Sequence, residues 1–376
     1  MKKFLTSKWV LILVILIGLV VFNALVFNVS VVNRNIVVGV GLDYDGNEYT
    51  LYTQVVLPKN GGVASGGGNN YITLKANAPN IDIAIDKIEK EQGVILSFAQ
   101  AAILILGKNM MENGDLKFID TFFMYNKVHD NLLLVMAEDK AEDIMNASVA
   151  AGEVSSLQLV RQLRPTKPPL GVSAISMQEY VRNSKNTNKI NYMPMISIKE
   201  TEPSTDQAKE DEEKADKFLI SQTAIADDYG LKCVLDEVMT QNYNIATKNM
   251  QDGVLKVDGE DFFSIHIIES KPSLSYDLDK MECEIKIKLK TIRTEARYDK
   301  GKVSFMLSDE EIKRLKWAID LRMKAIFDFG LQNNIDILNI KDGFSKKFPK
   351  KTSQILAEDF LNKINLNVDV VITQVD

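Results

Sequence analysis

From Trp9 to Asn33 the chain carries no charged side chain, and Trp9 to Phe27 is almost entirely Leu, Ile, Val and Phe. So apolar a run can end only in a protein core or in a bilayer. At ~1.5 Å of rise per residue, ~20 helical residues cross a hydrocarbon layer of ~30 Å, so the run is long enough to span. Lys2, Lys3 and Lys8 precede it, and a cationic flank stays in the cytoplasm, which puts the chain after Asn33 outside. A cleaved signal peptide is the competing reading. The run exceeds an ordinary signal core, and Asn23-Ala24 and Asn28-Val29-Ser30 are poor cleavage sites. Residues 9–32 are therefore read as an uncleaved transmembrane signal anchor and 1–8 as a cytoplasmic N-terminus. Lipidation needs a cysteine just after the run, and the first cysteine is Cys233.

The exported part alternates strand and helix patterns. Ile36 to Leu42 and Tyr49 to Leu57 read as a hairpin about an Asp-Gly turn in Asp43–Glu48. Gly61 to Asn70 reads as a mobile loop. Asn80 to Gln92 is an amphipathic helix with Ile81, Ala84, Ile85 and Ile88 on one stripe and Gly93 as its stop. Ala101–Leu106 and Leu132–Met136 are apolar runs of strand length, with a helix face of Leu116, Ile119, Phe122 and Phe123 between them. Val154–Leu163 and Met177–Val181 are expected helices around Pro165–Pro169, and Met193–Ile198 is an expected strand. This order predicts an N-terminal α/β domain over 36–200. Glu200 to Lys217 is acidic and nearly free of apolar residues; residues 201–217 are read as a solvated linker or loop, without the Asp spacing of a calcium loop. A middle segment, 218–260, follows.

The last part, 261–376, has the clearest patterns. In Glu282–Lys290 the odd positions are apolar and the even ones charged, so one face is buried, Cys283 with it. Ser308-Asp-Glu-Glu311 is a capping box. The helix it opens aligns Ile312, Leu315, Ile319, Met323 and Ile326, with Lys313, Lys316, Asp320 and Lys324 on a polar stripe and Gly330 as the expected stop. Leu366, Val368, Val370 and Ile372 alternate as a final strand. The fold class expected is α+β: a transmembrane helix, then a multi-domain, three-domain mixed α/β extracytoplasmic region.

No motif for catalysis or for phosphate or dinucleotide binding is present. Gly39-Val-Gly41 lies on a strand and Gly66–Gly68 in a polar loop. Asp236-Glu237 and Glu310-Glu311 read as helix-start residues. His129 reads as a solvated loop residue, and His266, inside the apolar strand Phe262–Ile268, as a satisfied core or edge histidine. The two cysteines, Cys233 and Cys283, are too few for a disulfide framework; one bridge and two buried free thiols both remain open. The net charge of −6 argues against general nucleic-acid binding. The sequence thus nominates no catalytic, cofactor-binding or metal residue and leaves any ligand site unassigned.

Certain residues do resemble a family. Val38–Asp43 with Tyr49–Pro58, Ala84–Leu106, Trp317–Gly330, Asn334-Ile-Asp-Ile-Leu338, Phe348-Pro-Lys350, Phe360 and Leu366–Ile372 are similar to the Ger(x)C germinant-receptor C subunits of spore-forming Firmicutes, in that order. Two departures stand out: the family's lipidated cysteine is replaced by the apolar run, and Leu231–Leu235 lacks the Gly-Trp or Gly-Tyr expected there. The resemblance implies a non-enzymatic, three-domain protein without cofactor. It implies an extracytoplasmic place on the cell or spore inner membrane beside two integral membrane partners, an A subunit and a permease-like B subunit. An anchored extracytoplasmic solute-binding protein is the alternative.

Overall fold

The computed structural model describes residues 12–19, 34–56, 71–114, 116–126, 128–149, 154–164, 170–185, 190–199, 216–227, 229–248, 250–258, 262–299 and 302–375. Residues 12–19 form a helix whose side chains are exposed. The rest of the 9–32 anchor lies outside the described residues, and no described helix is long and apolar enough to cross a membrane. The expected Gly-rich loop, 61–70, and the Pro165–Pro169 link also lie outside them.

A ten-stranded mixed sheet organises the first part. It begins with the expected hairpin: β1 (Arg34–Tyr44) pairs antiparallel with β2 (Tyr49–Val56), and Gly46, at φ +100°, makes the turn. β3 (Tyr71–Ala78) extends that edge. Asn80 caps α1 (Ile81–Gln92) by accepting from the Ile83 N–H, and Gly93 ends it in the left-handed region at φ +65°. The chain continues through β4 (Ile95–Ser97), β5 (Ile103–Leu106), α2 (Lys108–Asn113), α3 (Phe118–Tyr125), β6 (Leu133–Ala137), α4 (Ala141–Asn146), α5 (Ser155–Leu163), β7 (Ile175–Ser176) and α6 (Met177–Ser184) to β8 (Asn191–Lys199). β1, β4, β5, β6 and β8 run parallel. Every side chain of β5 and β6 is buried, because helices cover both faces of the sheet.

The acidic stretch falls between two strands that pair. β9 (Lys217–Asp227) pairs antiparallel with β8, with Lys199 opposite Lys217, so 201–217 joins adjacent strands of one sheet. Loss of apolar residues signals solvent exposure, and a long connection between neighbouring strands meets that description as well as an interdomain linker does. The elements of 218–260 are shared between the two sheets. β9 and β10 (Gly230–Leu235) belong to the large sheet, α7 (Glu237–Thr247) lies between the sheets, and β11 (Val254–Val257) belongs to the second.

That second sheet has the order β11, β12 (Phe263–Asp277), β13 (Glu282–Arg293) and β16 (Asn365–Gln374). β14 (Arg297–Asp299) and β15 (Lys302–Ser304) form a small ribbon. β13 alternates as expected: Cys283, Ile285, Ile287 and Leu289 are buried, and Lys288 and Lys290 are exposed. It lies between antiparallel β12 and parallel β16. The capping box forms at Ser308 and opens α8 (Asp309–Gln332), which buries Leu315, Ile319, Met323 and Ile326.

Gly330 is not the stop. α8 runs to Gln332, and Asn334 turns the chain at φ +56°. A Cβ on Gly330 would lie 2.7 Å from the Ile335 carbonyl oxygen and 2.9 Å from Ile337 Cγ2, so the glycine admits the returning chain. α9 (Ile340–Lys347) follows that return.

Candidate functional site

Among the described residues, one group of fully buried polar side chains lies where the two sheets meet, around α7. Asp236 caps this helix, accepting from the Met239 N–H at 2.8 Å. From Val238 to Thr247 it carries no charge, and Thr240, Asn242, Tyr243, Asn244, Ile245 and Ala246 are all buried. A helix covered on several sides is an internal wedge.

The buried Thr and Asn side chains of the wedge have partners on neighbouring elements. Asn244 Nδ2 donates to the Leu170 carbonyl at 2.8 Å, and Ser173 Oγ donates to Asn244 Oδ1 at 2.6 Å. The Thr240 hydroxyl lies 3.2 Å from Thr223 Oγ1 on β9. Arg322 of α8 donates to Asn242 Oδ1 at 3.0 Å. Unmade, each such bond would leave a buried polar atom at a cost of ~1–3 kcal/mol, so the set fixes how the two sheets sit.

At the end of the wedge the Lys248 ammonium stands 3.8 Å over the Tyr192 ring and 3.5 Å from the Ala174 carbonyl oxygen. Tyr192 donates its hydroxyl to Glu179 Oε1 at 2.8 Å and packs on Tyr243 at 5.6 Å between ring centroids. Burial lowers the Lys248 ammonium to about 7, and the Glu179 charge opposes that shift. Burial also raises both tyrosine hydroxyls above their usual range.

The Asn334–Leu338 segment connects this junction to a cleft. Asn339, at φ +53°, accepts the Ile190 N–H on its Oδ1 at 3.0 Å, which ties the segment to the residue just before β8. Asp336 accepts the Ile340 and Lys341 N–H groups at 2.8 and 2.7 Å and so holds the start of α9. Burial raises its carboxyl to about 6 against the pull of those two bonds. Lys341 Nζ donates to the Ala357 carbonyl at 3.0 Å. Beside them opens a cleft of about 370 Å³ lined by Gly330, Leu331, Asn334, Asp336, Lys341 and Glu358. It offers acceptors and one ammonium, and no activated nucleophile.

The histidines occupy separate elements. His129 accepts the Asn131 N–H in an exposed turn. His266 lies on β12, an inner strand of the second sheet, with its Nε2 2.5 Å from Asp252 Oδ1. Cys283 is buried, Cys233 is half-buried, and both are free; burial pushes both thiols up, to about 12 and about 11. Glu311 completes the capping box and lies 3.5 Å from Arg293. A Cβ on Gly39 would meet Ser156 Cβ at 2.4 Å, which makes this glycine a packing feature. Among the described residues no three His, Cys, Asp or Glu side chains are grouped to hold a metal. The sequence did not nominate the wedge: Thr240, Gln241, Asn242 and Asn244 give it the polarity of a surface helix. Its uncharged course from Val238 to Thr247 was the available signal.

Two family profiles match the chain: the spore germination protein N-terminal domain over residues 29–198, and the spore germination B3/GerAC-like C-terminal region over 221–375. Their boundary brackets the acidic stretch, although β8 and β9 pair across it. No curated protein sequence matches. Among solved structures, the crystal structure of the GerBC protein is similar in fold, with a TM-score of 0.54 at 14% identity, covering 90% of this chain and 97% of that one. With its two matched regions in the family's order and this multi-domain α+β fold, the chain belongs to the GerAC-like family of spore germination proteins.

Proposed function

We propose that the chain is the non-enzymatic C subunit of a nutrient germinant receptor. Residues 9–32 hold it as a single-pass anchor, with its bulk on the extracytoplasmic side of the cell or spore inner membrane. It assembles there with integral membrane A and permease-like B subunits. The observation that carries this reading is the pair of family matches, 29–198 and 221–375, which together span nearly all of the chain after the apolar run. The α7 wedge supports it, since a subunit that acts by assembly needs its parts held in one fixed relation.

Deleting the gene in its spore-forming host should abolish germination triggered by at least one nutrient. Unchanged germination with every nutrient would sink the reading. Co-purification from spore membranes should recover the two integral partners, and mass spectrometry should find the N-terminus intact, with Lys2 and Lys3.

The cleft beside Asp336 favours a second reading, an anchored solute-binding protein. Thermal-shift screening against amino acids, sugars and nucleosides separates the two. A true ligand at about a hundred times its dissociation constant adds ~2.7 kcal/mol of stability.

A further inference from the structure

β1, β4, β5 and β6 run parallel, with β1 and β4 starting level at one end of the large sheet and β5 and β6 starting level with Gly39, partway along β1. Arg34 pairs with Ile95, Gly39 with Ile103, and Ile103 with Leu133. α3 descends to the same end: its Phe122 meets Phe98 edge-on at 5.4 Å, and Phe98 directly follows β4. Met124 and Tyr125, at the foot of α3, are 75% and 80% exposed, while Ile36 and Ile95, at the starts of β1 and β4, are 45% and 52% exposed. At the opposite end, the β1–β2 turn presents Asp45, Gly46, Asn47 and Glu48, all exposed.

The uncharged run ends at Asn33, one residue before Arg34. If ~20 residues from Trp9 fill the hydrocarbon layer, only a handful remain before β1 begins, spanning at most ~20 Å fully extended. The end of the sheet that bears these apolar side chains is therefore held at headgroup distance.

We propose that this end of the large sheet, through Ile36, Ile95, Met124 and Tyr125, rests on the headgroup–acyl boundary of the bilayer in which the chain is anchored. Tyrosine suits that position, with an apolar ring and a polar tip, and the aliphatic chains gain by leaving water. The contact sets the orientation of the large sheet on the membrane, with the β1–β2 turn pointing away. The proposal rests on the anchored reading above, and its test separates the two.

Full-length protein with Trp9→Phe and Trp317→Phe would carry a single new tryptophan from Ile95→Trp, Tyr125→Trp or Asn47→Trp. Each variant is reconstituted in phosphatidylcholine vesicles, with and without brominated acyl chains, and all three positions are exposed enough to spare the fold. Flotation with the vesicles reports the anchor. Loss of tryptophan fluorescence to the brominated chains reports the contact. The expected result is flotation of all three, with marked quenching and a blue shift at 95 and 125 and neither at 47. Flotation with equal, weak quenching at all three positions would overturn the contact while leaving the anchor in place. Quenching absent from vesicles, with position 125 shielded only when partner subunits are added, would assign the patch to a protein and overturn the proposal. Failure to float would remove the anchor and the proposal together.

Discussion

The two sheets bury their strands in different ways. In the large sheet Ile103, Leu104, Ile105 and Leu106 are all buried, with Leu104 and Leu106 packing on one face and Ile103 and Ile105 on the other. In the second sheet Ile285, Ile287 and Leu289 are buried while Lys288 and Lys290 stay wet. A strand covered on both faces loses its alternation and reads as a plain apolar run; one covered on a single face keeps period two. The same backbone geometry therefore leaves two different marks in the sequence, and tolerance to mutation should follow the burial.

The sharpest way to break this comparison is a charge on each face of each sheet. Leu104→Lys and Ile105→Lys should both destabilise the protein by ~4 kcal/mol or more, since either charge lands in an apolar site. In the second sheet Ile287→Lys should do the same, whereas Lys288→Ala should stay within ~0.5 kcal/mol. Circular dichroism melts of the four variants decide it, and a mild Ile105→Lys would mean that face is open.

The helix covering the second sheet gives a matched pair. Ile319 is buried on α8 and Lys313 is exposed. Ile319→Asp should unfold the last sheet, losing ~3–5 kcal/mol or forcing the new carboxyl to stay protonated. Lys313→Asp should be tolerated within ~0.5 kcal/mol. Equal melting temperatures would misplace the helix face.

In the large sheet, Gly39 backs onto Ser156 at a distance no side chain can share. Gly39→Ala should lose ~1–3 kcal/mol by overpacking, measurable as a lower urea midpoint with unchanged slope.

The junction between the sheets should respond to pH. Lys248 titrates near 7 in the folded protein against 10.5 for a free lysine. Between those values the unfolded chain binds the extra proton, so stability rises with pH through 7 toward 10.5 and is lowest below 7. Lys248 as a whole keeps some solvent contact, which holds the effect to about 1–2 kcal/mol. Lys248→Met should flatten the climb between pH 7 and 9 and raise stability most at pH 6. Asp336, raised to about 6 from 3.8, has the opposite sign: stability falls as pH rises between those values and levels off above 6. The two windows do not overlap, so a Lys248→Met profile that still climbs above pH 7 would refute the assignment.

The smallest effect is expected at the capping box. Ser308→Ala should lose ~1 kcal/mol, because the Glu311 N–H loses its acceptor. A null result in the melt would mean that packing alone fixes the start of α8.

The local elements were legible in the sequence because their causes are local. Asn80 and Gly93 bracket α1, Ser308 and Glu311 open α8, and β13 shows its buried face two residues at a time. The resemblance to the germination family was legible too, from the order of such segments. Three features were decided only in three dimensions. The acidic stretch resembled a domain linker, but whether β8 and β9 pair depends on residues on both sides of it meeting in space. Gly330 has the composition of a helix stop, yet its reason is a chain that returns five residues later to within 2.7 Å of where a side chain would be. The α7 wedge has the polarity of a surface helix, because Asn242 and Asn244 find their partners on Arg322, Ser173 and Leu170, all at least seventy residues away in the chain. A sequence states which groups need partners; only the tertiary structure, by closing loops of that length, settles whether water or protein supplies them.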